Sequence, residues 1–211
     1  MSPTTDPRLF SVRTHLSATA KTMWLAFDEC ALAILEAADL IADSFHSGGK
    51  LLLCGNGGSA ADCQHLATEF TCRLTADFVR PPLAALALTT DSSFLTAYTN
   101  DFDFEGIFAR QVEALGKPGD VLIGISTSGS SRNVVKAVET ARMLGMKSIV
   151  LTGSRGELRD LADVAICVPS ETTAHIQETH LAIEHVICHL VERALFAHGI
   201  DDESTARLRA A

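Results

Sequence analysis

The stretch Lys50-Leu-Leu-Leu-Cys-Gly-Asn-Gly-Gly-Ser-Ala-Ala-Asp62 carries an apolar run straight into a glycine-rich turn and on into a helical pattern. An unbroken run such as Lys50–Cys54 is too uniformly apolar for a strand with one wet face and reads as a strand buried on both. The same grammar recurs downstream. Leu83–Leu88, Val121–Ile125, Ser148–Leu151 and Val164–Val168 are short apolar runs bounded by Gly, Ser, Thr, Asp or Pro and separated by helical stretches. Five buried strands alternating with helices predict an α/β fold, a doubly wound five-stranded parallel sheet of flavodoxin-like type with helices on both faces.

Upstream of this stretch the pattern is different. From Val12 to His46 there is no proline or glycine, and Met23, Phe27, Cys30, Ile34, Ala37, Ile41 and Phe45 recur at helical spacing until Ser47-Gly48-Gly49 ends the run. Residues 1–47 therefore read as a helical arm, 48–198 as the sheet domain and 199–211 as a tail. Thirty-five helical residues would span ~50 Å at ~1.5 Å each, against a radius of gyration of ~17 Å for a compact chain of this size. The arm either bends into two helices or projects, and a projecting apolar stripe is expected to be covered by a second copy.

Composition removes several classes. With 47% apolar and 20% charged residues the 211-residue chain is not disordered. A net charge of −9 argues against nucleic acid as a partner. No apolar run approaches the ~18 residues of a membrane span, and the N-terminus lacks the pattern of a secretory signal. The six cysteines form no C-x-x-C, so reduced thiols and a cytoplasmic location are expected.

Two loops carry candidate chemistry. Gly55-Asn56-Gly57-Gly58-Ser59-Ala60 formally fits the dinucleotide pattern G-x-G-x-x-G/A, but no strand end ~20 residues on supplies the acidic residue that goes with it. Ser126-Thr127-Ser128-Gly129-Ser130-Ser131 follows the third strand and opens a helix, which gives hydroxyl donors at the positive end of a helix dipole. It lacks a lysine and a Walker pattern, so a phosphate monoester suits it better than a nucleoside triphosphate. Plain glycine-turn and N-cap readings compete with both.

His65-Leu-Ala-Thr-Glu69 places an imidazole and a carboxylate one helical turn apart. Such a pair is common as a surface contact. The cluster His175-Ile-Gln177-Glu178-Thr179-His180…Glu184-His185 in the last helix is harder to dismiss, since it gathers three histidines and a glutamine into eleven residues.

Together, Gly55–Glu69, Leu95-Thr-Ala with Asn100-Asp101, Gly124–Gly129 and Ile176-Gln-Glu-x-His…His185 resemble the phosphoheptose isomerases of the sugar isomerase (SIS) family, over about Gly49 to Glu192. The resemblance implies a zinc-dependent aldose–ketose isomerase acting on sedoheptulose 7-phosphate through an enediol(ate). It implies one zinc per subunit on His65, Glu69, Gln177 and His185, with Glu69 as base and His185 as acid. Asn56, Gly57, Gly58, Ser59, Glu69, Asn100, Asp101 and Gln177 would hold the sugar, and Ser126, Thr127, Ser128 and Ser131 its phosphate. A homotetramer binding a small sugar phosphate, with no nucleic acid or membrane partner, is likewise implied. Some relatives carry Asp-Arg where this chain has Ala174-His175, and His175 and His180 have no assigned role. The competing reading is a non-catalytic SIS-domain binding protein of the DnaA initiator-associating type.

Gln177 and His185 are eight residues apart, ~12 Å along a helix axis, whereas two donors on one zinc sit within ~4 Å. A pocket drawing its groups from two chains is therefore expected.

Overall fold

The computed structural model describes residues 6–196; the tail assigned to 199–211 lies outside the described residues. The elements run α1 (Arg8–His46), β1 (Leu51–Gly55), α2 (Gly58–Thr71), β2 (Ala85–Ala87), α3 (Ser92–Asp101), α4 (Ile107–Leu115), β3 (Val121–Ser126), α5 (Arg132–Met143), β4 (Lys147–Thr152), α6 (Leu158–Leu161), β5 (Val164–Cys167) and α7 (Thr173–Phe196). The strands form one five-stranded sheet in the order β2-β1-β3-β4-β5, with every neighbouring pair parallel. The chain thus winds outward in opposite directions from β1 and β3. The loops leaving these two strands diverge, which opens a crevice at their carboxyl ends.

Alternation along each central strand divides the core. Leu51 and Leu53 of β1, with Val121, Ile123 and Ile125 of β3, face α1, α2 and α7. Leu52, Cys54 and Leu122 face α4 and α5 through Phe108, Val112, Val134 and Val138. Both faces of β1 and β3 are buried, so the uniformly apolar runs follow from double coverage. The predicted Leu83–Leu88 strand is shortened to three residues. β2 is an edge strand paired only with β1, and Leu86 remains 44% exposed.

The arm does not bend. α1 is one 39-residue helix, ~58 Å long. Its apolar stripe divides along its length: Cys30, Ile34, Ala37 and Ile41 are buried in the core beneath α7 and β5. Met23 and Phe27, expected on the same stripe, are exposed at 37% and 65%, and so are Leu9, Phe10, Leu16 and Trp24. The globule ends before the helix does. No described helix is long and apolar enough to cross a membrane.

Candidate active site

The first loop leaves β1 at Gly55. Gly57 adopts φ +58°, a left-handed conformation that strains any residue with a Cβ. At Gly58 a Cβ would lie 2.4 Å from Nε2 of Gln177, so glycine lets the α7 amide approach the start of α2. Asn56 is held in a reciprocal amide pair: its Nδ2 donates to Asn133 Oδ1 at 2.9 Å, and Asn133 Nδ2 donates to Asn56 Oδ1 at 2.8 Å. This bond ties the loop after β1 to the first turn of α5 across the crevice. A cavity of about 590 Å³ opens beside it, lined by Asn56, Gly57, Thr89, Thr96, Thr99 and Asn100. Asp101 accepts a hydrogen bond from Asn100 Nδ2 at 2.9 Å. Ser59 is 7% exposed and packed against Gly55, turned into the β1–α2 junction.

The second loop is a hydroxyl cluster. Ser126 Oγ lies 2.9 Å from Ser131 Oγ and 3.4 Å from Ser128 Oγ. Ser131 is the N-cap of α5, but its side chain makes no capping bond and turns to Ser126 instead. Hydroxyls that bond one another are free to redirect their protons toward an arriving anion at the helix N-terminus. Gly129 is at φ +67°, and a Cβ there would lie 2.1 Å from the Arg155 carbonyl. Gly156 meets it from the other side: a Cβ on Gly156 would stand 2.3–2.4 Å from Gly129 backbone atoms. Thr127 and Ser128 line a second hollow of about 300 Å³ with Ser154, Arg155 and Ile176.

A third group sits where α2 packs on α7. The Nε2 atoms of His65 and His185 are 2.8 Å apart, and His65 Nε2 is 3.6 Å from Glu69 Oε1. Ligand atoms of the three side chains all lie within 4.8 Å of one another. Glu69 Oε2 is buried without a hydrogen-bond partner. A buried carboxylate oxygen left unpaired is costly, and a cation or a proton relieves it, so these residues fit a zinc ion in donor type, spacing and unmet need.

His65, Glu69 and His185 converge within one chain, so this cluster does not itself require groups from a second chain. Gln177 stands apart from them, two turns earlier on α7. Its Nε2 is 3.3 and 3.2 Å from the Asp62 carboxylate oxygens. Burial raises the Asp62 carboxyl above its usual range, partly offset by this amide and by the His65 charge. Beside Asp62, Glu184 has no hydrogen-bond partner for either oxygen, and burial followed by the Asp62 charge pushes it up to about 8. His180 is buried and donates Nε2–H to the Thr152 carbonyl at 3.1 Å; burial lowers its pKa to about 4, so it packs as a neutral ring.

Asn133, Asp62 and Glu184 escaped the sequence reading, as did Arg80. The Arg80 guanidinium donates to the carbonyls of Glu69 and Phe70 at 2.6 Å each and to Glu192 at 2.7 Å. It thereby caps the end of α2 that presents Glu69. Only Asn133, at the mouth of a helix following the serine loop, had a positional signal.

The SIS domain profile matches residues 16–153. A phosphoheptose isomerase from Roseiflexus sp. (strain RS-1) is 55% identical over 164 residues, covering 77% of this chain and 82% of its own. Among solved structures, a phosphoheptose isomerase from Neisseria gonorrhoeae is 41% identical with a TM-score of 0.82, covering 87% of this chain and 98% of its own. One from Francisella tularensis is 37% identical with a TM-score of 0.84, covering 89% and 100%. Sequence and architecture agree over most of both chains in each comparison, and the protein therefore belongs to the SIS-domain family, in its phosphoheptose isomerase branch, and is a sugar-phosphate isomerase.

Proposed function

We propose that the chain is a zinc-dependent aldose–ketose isomerase that converts sedoheptulose 7-phosphate to D-glycero-D-manno-heptose 7-phosphate, as a cytoplasmic homotetramer. The observation that carries this reading is the convergence of His65, Glu69 and His185 within one chain. The rival, a non-catalytic binding protein of the same fold, has no need of that arrangement.

The reaction moves a proton between adjacent carbons and needs a base, an acid and stabilisation of the developing oxyanion. Glu69 is the base that removes the proton from the carbon beside the carbonyl. His185 is the acid that returns one to the neighbouring carbon. His65, Glu69 and His185 would hold zinc, which when bound supplies Lewis-acid polarisation of the substrate oxygens. Glu69 has two oxygens, so one can bind the ion while the other takes the proton. Asn56, fixed by Asn133, and Asn100 face the cavity in which the polyol chain would lie. Ser126, Thr127, Ser128 and Ser131 would take the phosphate at the start of α5, which sets the reach of the sugar. The exposed face of α1 is the surface through which a tetramer would be held together. Free cysteines, four of the six buried, suit a reducing compartment.

The test is incubation with sedoheptulose 7-phosphate and detection of the aldoheptose phosphate, with the unphosphorylated ketose as control. Turnover of the phosphate ester alone supports the reading; binding without turnover, in zinc-replete protein, selects the rival.

A further inference from the structure

We propose that His15, His175 and Glu178 form a second divalent transition-metal site, separate from the His65–Glu69–His185 cluster, that fastens α1 to α7. Among the described residues these are the two groups of three or more His, Cys, Asp or Glu side chains whose ligand atoms all lie within 4.8 Å of one another. His15 Nε2 is 2.6 Å from Glu178 Oε1, and His175 Nδ1 is 3.4 Å from Glu178 Oε2. The two imidazole centroids are 4.7 Å apart. His185 is ten residues further along α7, ~15 Å down the axis, so one ion cannot serve both groups.

The arrangement has the features of a site rather than of a single ion pair. An ion pair needs one cation for Glu178; here two imidazoles converge on its two oxygens from different helices. Thr19, one turn beyond His15, donates its hydroxyl to Glu178 Oε2 at 2.5 Å and so fixes the carboxylate; its 2.8 Å contact with His175 Nδ1 gives way when that nitrogen takes the ion. Such a hydroxyl orients ligands without itself being one. Donors around an ion at ~2.1 Å sit ~3.4 Å apart in a tetrahedron. His175 Nδ1 already has that spacing to Glu178 Oε2, and the contact of His15 Nε2 with the other oxygen, Oε1, must open by about 0.8 Å, so the ion would be held by both carboxylate oxygens. The side chains of His15, Glu178 and His175 are 45%, 39% and 13% exposed, which leaves an entry path and room for water as a fourth ligand. Two imidazoles and a carboxylate select zinc, cobalt or nickel over magnesium or calcium. The lone pair of His175 Nδ1 must be free, so the proton sits on its Nε2 when the ion binds.

The test is zinc stoichiometry after equilibrium dialysis of the full-length protein, together with anomalous diffraction at the zinc edge. The inference predicts an anomalous peak bounded by His15, His175 and Glu178, and loss of one zinc per chain in His175→Ala. His15→Ala, on the exposed part of α1, is the second variant should His175→Ala fold poorly, and it must lose the same ion. His65→Ala must retain it. An unchanged zinc count in both His15→Ala and His175→Ala, or anomalous density at other residues only, overturns the inference and leaves a metal-free hydrogen-bonded clasp. A single zinc per chain, kept in His65→Ala and lost in His175→Ala, would uphold this site while overturning zinc at the catalytic cluster.

Discussion

His65 and His185 are separated by 120 residues, yet their Nε2 atoms stand 2.8 Å apart. The contact exists because α2 and α7 pack side by side on the same face of the sheet. The helix from the first crossover and the last helix of the domain thus present their polar positions to each other, and Glu69 closes the triangle within a single chain.

Removing either proton-transfer group should abolish turnover without unfolding the protein. Glu69→Gln and His185→Ala are each expected to reduce kcat by ~10²–10⁴-fold with an unchanged circular dichroism spectrum. Because the two residues converge within one chain, mixing the two variants under conditions of proven subunit exchange should restore no activity. Recovery on mixing would place them in different chains.

The serine loop should act on affinity. Ser126→Ala and Ser128→Ala each remove a hydroxyl from a cluster aimed at a charged group, a loss of ~1–3 kcal/mol. That is a rise of roughly 5–150-fold in KM with kcat largely kept. A fall in kcat at constant KM would remove the loop from ground-state phosphate binding.

Breaking the ion pair beneath α2 should be the most destabilising single change among those considered. The side chains of Arg80 and Glu192 are 0% and 2% exposed, and Glu192→Ala leaves the guanidinium buried and unpaired. A cost of ~3–5 kcal/mol is expected, which lowers Tm by roughly 6–20 °C for a chain of this length. The double variant Arg80→Met, Glu192→Leu should be milder than Glu192→Ala, as thermal scans of the three proteins would show.

His180 should make the fold acid-sensitive. Its folded pKa of about 4 lies below the 6.5 of an unburied imidazole, so between these values the unfolded chain binds a proton that the folded chain refuses. The stability that the neutral His180 ring contributes is therefore full above about 6.5, falls as pH drops toward 4, and amounts to about 3 kcal/mol. Denaturant midpoints for the parental protein and His180→Gln, measured from pH 7 to 4, should diverge by that component. Parallel curves would refute it.

The sheet was legible because each central strand is covered on both sides: Leu51-Leu-Leu-Cys54 could only be a buried strand. β2 was read too long because nothing in Leu83–Leu88 announces that it lies at the edge, where only one neighbour supplies hydrogen bonds. The course of α1 depended on how far the globule extends beneath it, which periodicity does not record; Met23 and Phe27 fit the stripe and lie outside the core. In the site, the His65–Glu69 turn and the Gln177–His185 helix were visible as local spacing. That His65 meets His185 while Gln177 meets Asp62 is set by how α2 lies against α7. Asn133, Arg80 and Glu192 act through partners 77 and 112 residues away, and no local pattern encodes such distances.

Gly129 and Gly156 touch backbone to backbone, with no space for a methyl group between them. The serine loop therefore does not close on its ligand. Its curvature is cast when the chain folds, against the turn that follows the neighbouring strand, and the entropy of shaping it is lost then rather than on each encounter with an anion. Discrimination at such a rigid mould is by the radius and geometry of the incoming group. The mould's weakest point is Gly156, a residue outside the serine loop whose smallest enlargement would distort it.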